Sequence, residues 1–399
     1  MIDFDKIPSP CFVLDESLLR HNLEQIADVE KRAGIEIILA LKACAMWSVF
    51  PIIKEYVGGA TASSLSEARL VYEEFGTLAH TYAPVYADRD FSDIMRYSNH
   101  ITFNSLAQYH RFAPQALIRG ISCGLRINPE HSSVGTELYN PCSEGSRLGV
   151  TAGQLDETES AADTGTKEFA GMGGAVEDGG LPDGLEGFHF HTLCESSPED
   201  LASTLEAVEA KFGRWLPSLK WLNMGGGHLM TRKGYDRDKL VDILLGFKKR
   251  YPNLRVILEP GSAFTWQTGY LVSRIEDIVS RGGVDTLMVD VSFACHMPDC
   301  LEMPYKPAIT GAHDPAPGDK RWRVGGNCCL AGDWVGDWAF DREPKVGDRL
   351  VFEDMIHYTM VKTTMFNGVA HPAIAYVDTE GQLHMVREFG YDDYRDRMS

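Results

Sequence analysis

Short apolar runs alternate with amphipathic stretches over about 240 residues, and this alternation constrains the fold more than any other feature of the chain. IEIILAL at 35–41 is β-branched and apolar with no helical face, so it reads as a buried strand. HITFN from His100, GISCGLRIN, LEGFHF, KWLNM and LRVILE continue the series, and the stretches at 198–212 and 236–249 read as helices between strands. Ser64 and Glu67 have the SxxE spacing of a capping box opening the helix SLSEARLVYEEFG. Strands separated by helices must run parallel, and the economical closed solution is an α/β fold, a TIM-like (β/α)8 barrel over 30–265. Beyond 265 the texture changes to YLVSRIEDIV, TLMVDVSF, RLVFED and AIAYVD, separated by Gly, Pro and Asp turns. This predicts a mostly antiparallel C-terminal β domain over 266–399, to which residues 1–29 are assigned. The strand CFVL within 1–29 fits either domain.

Charge and cysteine narrow the partners. The chain has 57 acidic against 38 basic residues, a net charge of -19, which disfavours nucleic acid and suits a small cationic substrate. Residues 156–186 hold nine acidic side chains and one Lys among many glycines, a composition that predicts a flexible surface insertion. The opening MIDFDKIPSP has neither a basic region nor an apolar core, and no run approaches the ~18 apolar residues of a membrane span. The expectation is a cytoplasmic protein with no membrane partner. Nine scattered cysteines, an odd number without a CxxC pair, argue against a disulfide framework or structural zinc.

Lys42, His189, His191, Gly225 to Gly227 and Glu259 each follow or end a predicted strand. In a barrel those ends converge on one mouth. Each signal alone has an ordinary reading: a lysine leaving a strand, a tight glycine turn, an acid before Pro260. Together they suit pyridoxal phosphate. A partly desolvated Lys42 amine forms a Schiff base readily, three glycines let backbone amides approach a phosphate, and Glu259 would hold the pyridine nitrogen protonated. His189 and His191 lie on one side of a strand, a spacing that also suits a metal, but no third ligand is evident and no metal is expected. In GNCCLAGDW, Cys329 and Asp333 lie in a Gly-rich loop, where a thiol can donate a proton and a carboxylate can grip an ammonium. Cys328 reads as a small buried hydrophobe.

ALKA, FHFH, GGG, EPG, the GxxCxxxD pattern of Gly326, Cys329 and Asp333, and HYTMVKTTMFNG together resemble the fold III (alanine-racemase-like) pyridoxal-phosphate decarboxylases, which include ornithine, diaminopimelate and carboxynorspermidine decarboxylases. The resemblance implies that Lys42 carries the cofactor, His189 stacks on its ring, Glu259 meets its pyridine nitrogen, and Gly225, Gly226, Gly227, Gly261 and Tyr358 meet its phosphate. It places Arg126 on a barrel strand near the cofactor. It implies a homodimer with shared sites, in which Cys329 donates a proton and Asp333 binds substrate across subunits. HTLCE, SFACHMPDCLEMPY and GNCCLAGDW look most like the carboxynorspermidine branch, over nearly the whole chain except 156–186. That implies decarboxylation of carboxynorspermidine or carboxyspermidine, steps of polyamine and spermidine biosynthesis, with Asp299 and Ser262 also near substrate. Ser262 stands where ornithine-type relatives carry Arg, and His191 and Thr192 stand where relatives carry Gly and Ser. The competing expectations are a diaminopimelate or ornithine/arginine decarboxylase, and a decarboxylase-like regulatory protein without activity. Retention of Lys42, Glu259 and Cys329 together argues against the regulator.

Overall fold

The computed structural model describes residues 2–135, 137–157 and 180–399. Most of the expected acidic insertion, 158–179, lies outside the described residues. Its expected far edge overlaps a strand: Leu185–His189 is regular structure, and Glu186 accepts a hydrogen bond from Ser122 Oγ at 2.6 Å. The chain divides into two compact units, Leu23–Phe264 and the residues through Asn22 together with Thr265–Ser399.

In the first unit, parallel strands close into a barrel. One strand over 36–40 is interrupted at Ile38, so that Glu36–Ile37 pairs with Arg255–Leu258 on one side and Leu39–Ala40 pairs with Ala60–Ala62 on the other. Between these partners run Ala79–Tyr82, Ser98–Phe103, Ser122–Arg126, Leu185–His189 and Trp221–Asn223, each parallel to its neighbours. The eight-stranded α/β barrel is therefore present. Ala60–Ala62 and Ala79–Tyr82 are strands that the apolar pattern did not reveal. The Trp221 ring fills one level of the barrel interior, packed so closely on Gly124 and Gly187 that a Cβ at either would overlap it. Its Nε1 donates to Ser122 Oγ at 2.8 Å, which satisfies the buried indole.

The helices start where their caps dictate. Ser64 Oγ accepts from the Glu67 amide, opening Leu65–Leu70, but the Glu67 carboxylate reaches the Ser63 amide at 2.6 Å, so the expected capping box is displaced by one residue. Pro198–Phe212 begins at a full Ser197 and Asp200 capping box, and Arg237–Arg250 at Asp236.

The second unit is built on a mostly antiparallel sheet. Its long strand Gly269–Arg281 pairs antiparallel with Cys11–Asp15, Val284–Val289 and Arg349–Glu353. CFVL therefore belongs to this unit. Cys11–Asp15 with Ala373–Val377, and Val284–Val289 with Trp322–Gly325, are parallel pairings. Trp334–Phe340 and Leu383–Arg387 complete hairpin-like pairs with Trp322–Gly325 and Ala373–Val377.

Candidate active site

The barrel strands deliver their polar residues at one end, because each of these residues stands at or just past the carboxyl end of its strand. Lys42 follows 36–40, Arg126 ends Ser122–Arg126, His189 ends Leu185–His189, the glycine run follows Trp221–Asn223, and Glu259 follows Arg255–Leu258. Burial lowers the Lys42 pKa, and Arg126 adds to this against the opposing pull of Glu259. Burial would raise the Glu259 carboxyl, but His189, Asn223 and Lys42 outweigh it and hold the pKa below the ordinary value. The Glu259 side chain is thus a buried anion. Asn223 Nδ2 donates to its Oε1, and His189 Nε2 lies 3.6 Å from its Oε2, just beyond hydrogen-bond length.

His189 is buried with neither ring nitrogen hydrogen-bonded, an uncommon state for a buried polar group. Burial lowers its pKa and Glu259 only partly offsets this. A neutral imidazole in this setting is suited to stacking. Its ring lies 5.2 Å from that of Tyr82, and the Arg126 guanidinium lies 4.9 Å from the Tyr82 centroid. Arg126 also donates to the His191 carbonyl at 3.0 Å, so it braces the strand end carrying both histidines.

The glycine run has a packing reason of its own. Gly225 and Gly227 adopt φ of +68° and +92°, and a Cβ at Gly225, Gly226 or Gly227 would overlap the carbonyl oxygen of Phe190, Glu259 or Leu193 respectively. Neighbouring strand ends therefore close on bare backbone. Gly225 N donates to Asn223 Oδ1 at 2.9 Å, and Gly226 N donates to His191 Nδ1 at 3.0 Å. The far nitrogen of His191, Nε2, lies 3.4 Å from Lys42 Nζ. Gly261 serves the same end: a Cβ there would overlap that of Ala43, so a bare turn lets LEPGS lie on the Lys42 loop. Ser262 is half-buried and opens the short helix Ser262–Thr265.

Within the β unit, Cys329 is exposed on a loop between Trp322–Gly325 and Trp334–Phe340, and its amide donates to Asn367 Oδ1 at 3.1 Å. Asp333 is buried and organises that loop. Its Oδ1 accepts from Ser292 Oγ at 3.0 Å and from the Ala294 amide at 2.8 Å, and its Oδ2 accepts from the Cys328 amide at 3.1 Å. Three of about four acceptor positions are taken, so the expected grip on an ammonium has one left. Gly326 completes the pattern, since a Cβ there would overlap the Asp333 carboxylate. Asp299 is also buried: Oδ2 accepts from Tyr305 OH at 2.9 Å and Thr359 Oγ1 at 2.8 Å, while Oδ1 has no partner. An unpaired buried carboxylate oxygen is a place for a cation. Tyr358 is half-buried at φ +49°. Cys328, expected to be a buried hydrophobe, is only half-buried.

Three residues of this neighbourhood were not expected from sequence. Asn223 joins the glycine run to Glu259; its signal is the short Asn-Met-Gly spacing. Tyr82 lies on an unrecognised strand. Cys194 has its thiol close enough to Lys42 for the two to influence each other's protonation. Among the described residues, no group of three or more His, Cys, Asp or Glu is arranged to hold a metal.

A half-buried lysine of lowered pKa, an anionic Glu259, a neutral His189 with open ring nitrogens and a bare glycine turn fit the amine-reactive, aromatic and phosphorylated parts of pyridoxal phosphate. The family model described as "Pyridoxal-dependent decarboxylase, C-terminal sheet domain" matches residues 11–356. The chain is 50% identical over 392 residues, 98% of its length and 96% of the relative's, to carboxyaminopropylagmatine decarboxylase of Synechocystis sp.. It is 39% identical to carboxynorspermidine/carboxyspermidine decarboxylase of Campylobacter jejuni, covering 98% of each. The crystal structure of carboxynorspermidine decarboxylase complexed with norspermidine from Campylobacter jejuni superposes with a TM-score of 0.85 at 37% identity, covering 98% of this chain and 100% of that one. Diaminopimelate decarboxylase from Helicobacter pylori shares the fold at a TM-score of 0.78 and 17% identity, covering 99% and 98%. This chain therefore belongs to the pyridoxal-dependent decarboxylases, a family of enzymes that takes pyridoxal phosphate as cofactor.

Proposed function

We propose that this enzyme removes CO₂ from the amino-acid end of a carboxylated aminopropyl polyamine, with carboxynorspermidine and carboxyspermidine as substrates. The similarity that carries this reading is the Campylobacter jejuni relative, matched along nearly the whole of both chains. A second reading, carboxyaminopropylagmatine, is favoured by the 50% identity to the Synechocystis enzyme. The two share a carboxylated aminopropyl group and differ at the far cation, an amine or a guanidinium. Steady-state CO₂ release decides between them: the first reading requires the higher kcat/KM on carboxynorspermidine or carboxyspermidine, and a higher value on carboxyaminopropylagmatine replaces it with the second.

Bound pyridoxal phosphate supplies an electron sink for the carbanion left when CO₂ departs. The chain's own residues do the rest. Lys42 would hold the cofactor covalently, and its lowered pKa favours the nucleophilic amine. Glu259 would keep a proton on the pyridine nitrogen, which its negative charge favours. His189 would stack on the cofactor ring, and Arg126, through Tyr82 and the His191 carbonyl, fixes the strand end that presents it. The turn of Gly225, Gly226 and Gly227, with Gly261, would leave room for the phosphate and Tyr358 would contact it, while the Gly225 and Gly226 amides stay with Asn223 and His191. Cys329 delivers the proton that replaces CO₂ on the α-carbon. Asp299, through its unpaired Oδ1, and Asp333 and Ser262 bind the cationic substrate.

The working unit in this reading is a homodimer in which Cys329 and Asp333 of one subunit serve the cofactor of the other, so two-fold symmetry generates two equal sites. Mixing inactive Lys42→Ala with inactive Cys329→Ala tests it. Random exchange should return up to about a quarter of wild-type activity, because each mixed dimer has one intact site. No recovery in verified mixed dimers would assign each site to a single chain. We place the reaction in the cytoplasm, a compartment that suits nine free thiols; among the described residues no helix is long and apolar enough to cross a membrane.

A further inference from the structure

We propose that His191 is a positioning residue that holds the Lys42 amine in its neutral form through an Nε2–H···Nζ hydrogen bond, with the glycine turn fixing the tautomer. Gly226 N lies 3.0 Å from His191 Nδ1, and a backbone amide can only donate, so Nδ1 presents a lone pair. A neutral imidazole then carries its proton on Nε2. Burial above all, with the nearby Arg126 charge, keeps the ring neutral.

Nε2–H therefore points at Lys42 Nζ, 3.4 Å away. An ammonium has three donors and no acceptor, so a protonated Lys42 would set donor against donor. Only the neutral amine can accept this bond. Only the neutral amine also has a lone pair with which to attack a carbonyl carbon, and the bond is long enough to yield when that carbon arrives. The other groups that bear on Lys42 are Glu259, Cys194 and Glu67, which favour its charge, and Arg126, which opposes it. His191 thus adds a directional preference that burial alone does not give.

This inference rests on Lys42 being the cofactor lysine, and its test is chosen to work without the cofactor. The full-length protein is freed of pyridoxal phosphate with hydroxylamine, checked for unchanged circular dichroism, and labelled with trace acetic anhydride from about pH 6 to about pH 11. The extent of labelling of the Lys42 peptide, read by mass spectrometry, gives the titration midpoint of the amine. In His191→Asn the side-chain oxygen can still accept from Gly226, but the side chain stops short of Lys42. Its midpoint should rise by about one pH unit, the scale of one hydrogen bond to the neutral form. His191→Gln, whose amide reaches the Nε2 position and can donate, should restore most of the wild-type midpoint. An unchanged midpoint in His191→Asn, or equal rises in both variants, would overturn the proposal. Should the variants fail to fold, ¹⁵N chemical shifts of His191 in the wild-type chain decide it: a protonated Nε2 with a bare Nδ1 supports the proposal, and the opposite tautomer overturns it. If sodium borohydride fixes cofactor on Lys42 while the midpoint stays put, only this inference fails; if the midpoint moves but no cofactor attaches at Lys42, the functional reading fails instead.

Discussion

Replacing Glu259 by Gln keeps the shape of the side chain and removes its charge. The carboxylate sits in an enclosed site where Asn223 Nδ2 donates to Oε1 and His189 Nε2 lies 3.6 Å from Oε2. Its pKa lies below the ordinary value because His189, Asn223 and Lys42 outweigh burial, so at neutral pH it is an anion. Gln keeps an oxygen for Asn223, so the loss is confined to the negative charge opposite the cofactor's ring nitrogen. A hydrogen bond to a charged buried group contributes about 1.5–3 kcal/mol. If the upper end of that range is lost from the barrier, kcat falls on the order of 10²-fold. The assay is CO₂ release at saturating substrate, with cofactor content measured after alkaline release from the same preparation. The expected outcome is a cofactor-loaded variant that turns over about a hundred times more slowly. A loaded variant with kcat within about threefold of wild type would refute the argument that this charge supports the electron sink.

Lys42→Ala should leave no cofactor fixed to the chain after borohydride reduction, measured by intact mass; a retained adduct would move the attachment elsewhere. In Gly261→Ala the new methyl must displace the Lys42 loop from the LEPGS turn, since it would overlap the Ala43 side chain. Overpacking of this kind costs about 1–3 kcal/mol, so the urea midpoint should drop, and kcat should fall at least about tenfold because two site segments separate. Stability should also depend on pH through buried histidines. His100, His228 and His296 each have a pKa pushed down by burial to about 4 from an ordinary 6.5. Below about pH 6.5 the unfolded chain binds protons that these groups refuse, so stability declines as pH falls toward about 4, by up to about 4 kcal/mol per pH unit for the three. Urea unfolding at about pH 7 and about pH 5 checks it; equal midpoints would mean the three are not held neutral.

Much of this site was legible because a barrel turns position in sequence into position in space. Lys42 and Glu259 could be singled out since each follows an apolar strand, and strand ends of a barrel converge. The same logic failed where strands are short and weakly apolar. Ala60–Ala62 and Ala79–Tyr82 are three and four residues of mainly Ala, Thr and His, recognisable only once their neighbours hold them. Tyr82 went unseen with its strand. Asn223 reaches Glu259 across 36 residues, a pairing that no local pattern encodes. Asp333 was read as a substrate ligand from its chemistry, yet its oxygens are mostly spent on the loop that carries Cys329. His191 stood out in sequence as a strand-end residue paired with His189 and as a departure from its relatives; the reason for an imidazole there became visible in the Gly226 and Lys42 contacts.

The most direct test of the account is a competition among carboxylated substrates on the purified, cofactor-loaded protein. Equal concentrations of carboxynorspermidine, carboxyspermidine, carboxyaminopropylagmatine, diaminopimelate, ornithine and arginine are offered together, and each amine product is quantified by mass spectrometry. Product ratios at early times report ratios of kcat/KM directly. The account predicts that the carboxylated aminopropyl compounds take nearly all the turnover, at least about a hundredfold over the other three, as expected when a site with buried carboxylates recognises a long cation. Preferential consumption of diaminopimelate, ornithine or arginine would contradict it.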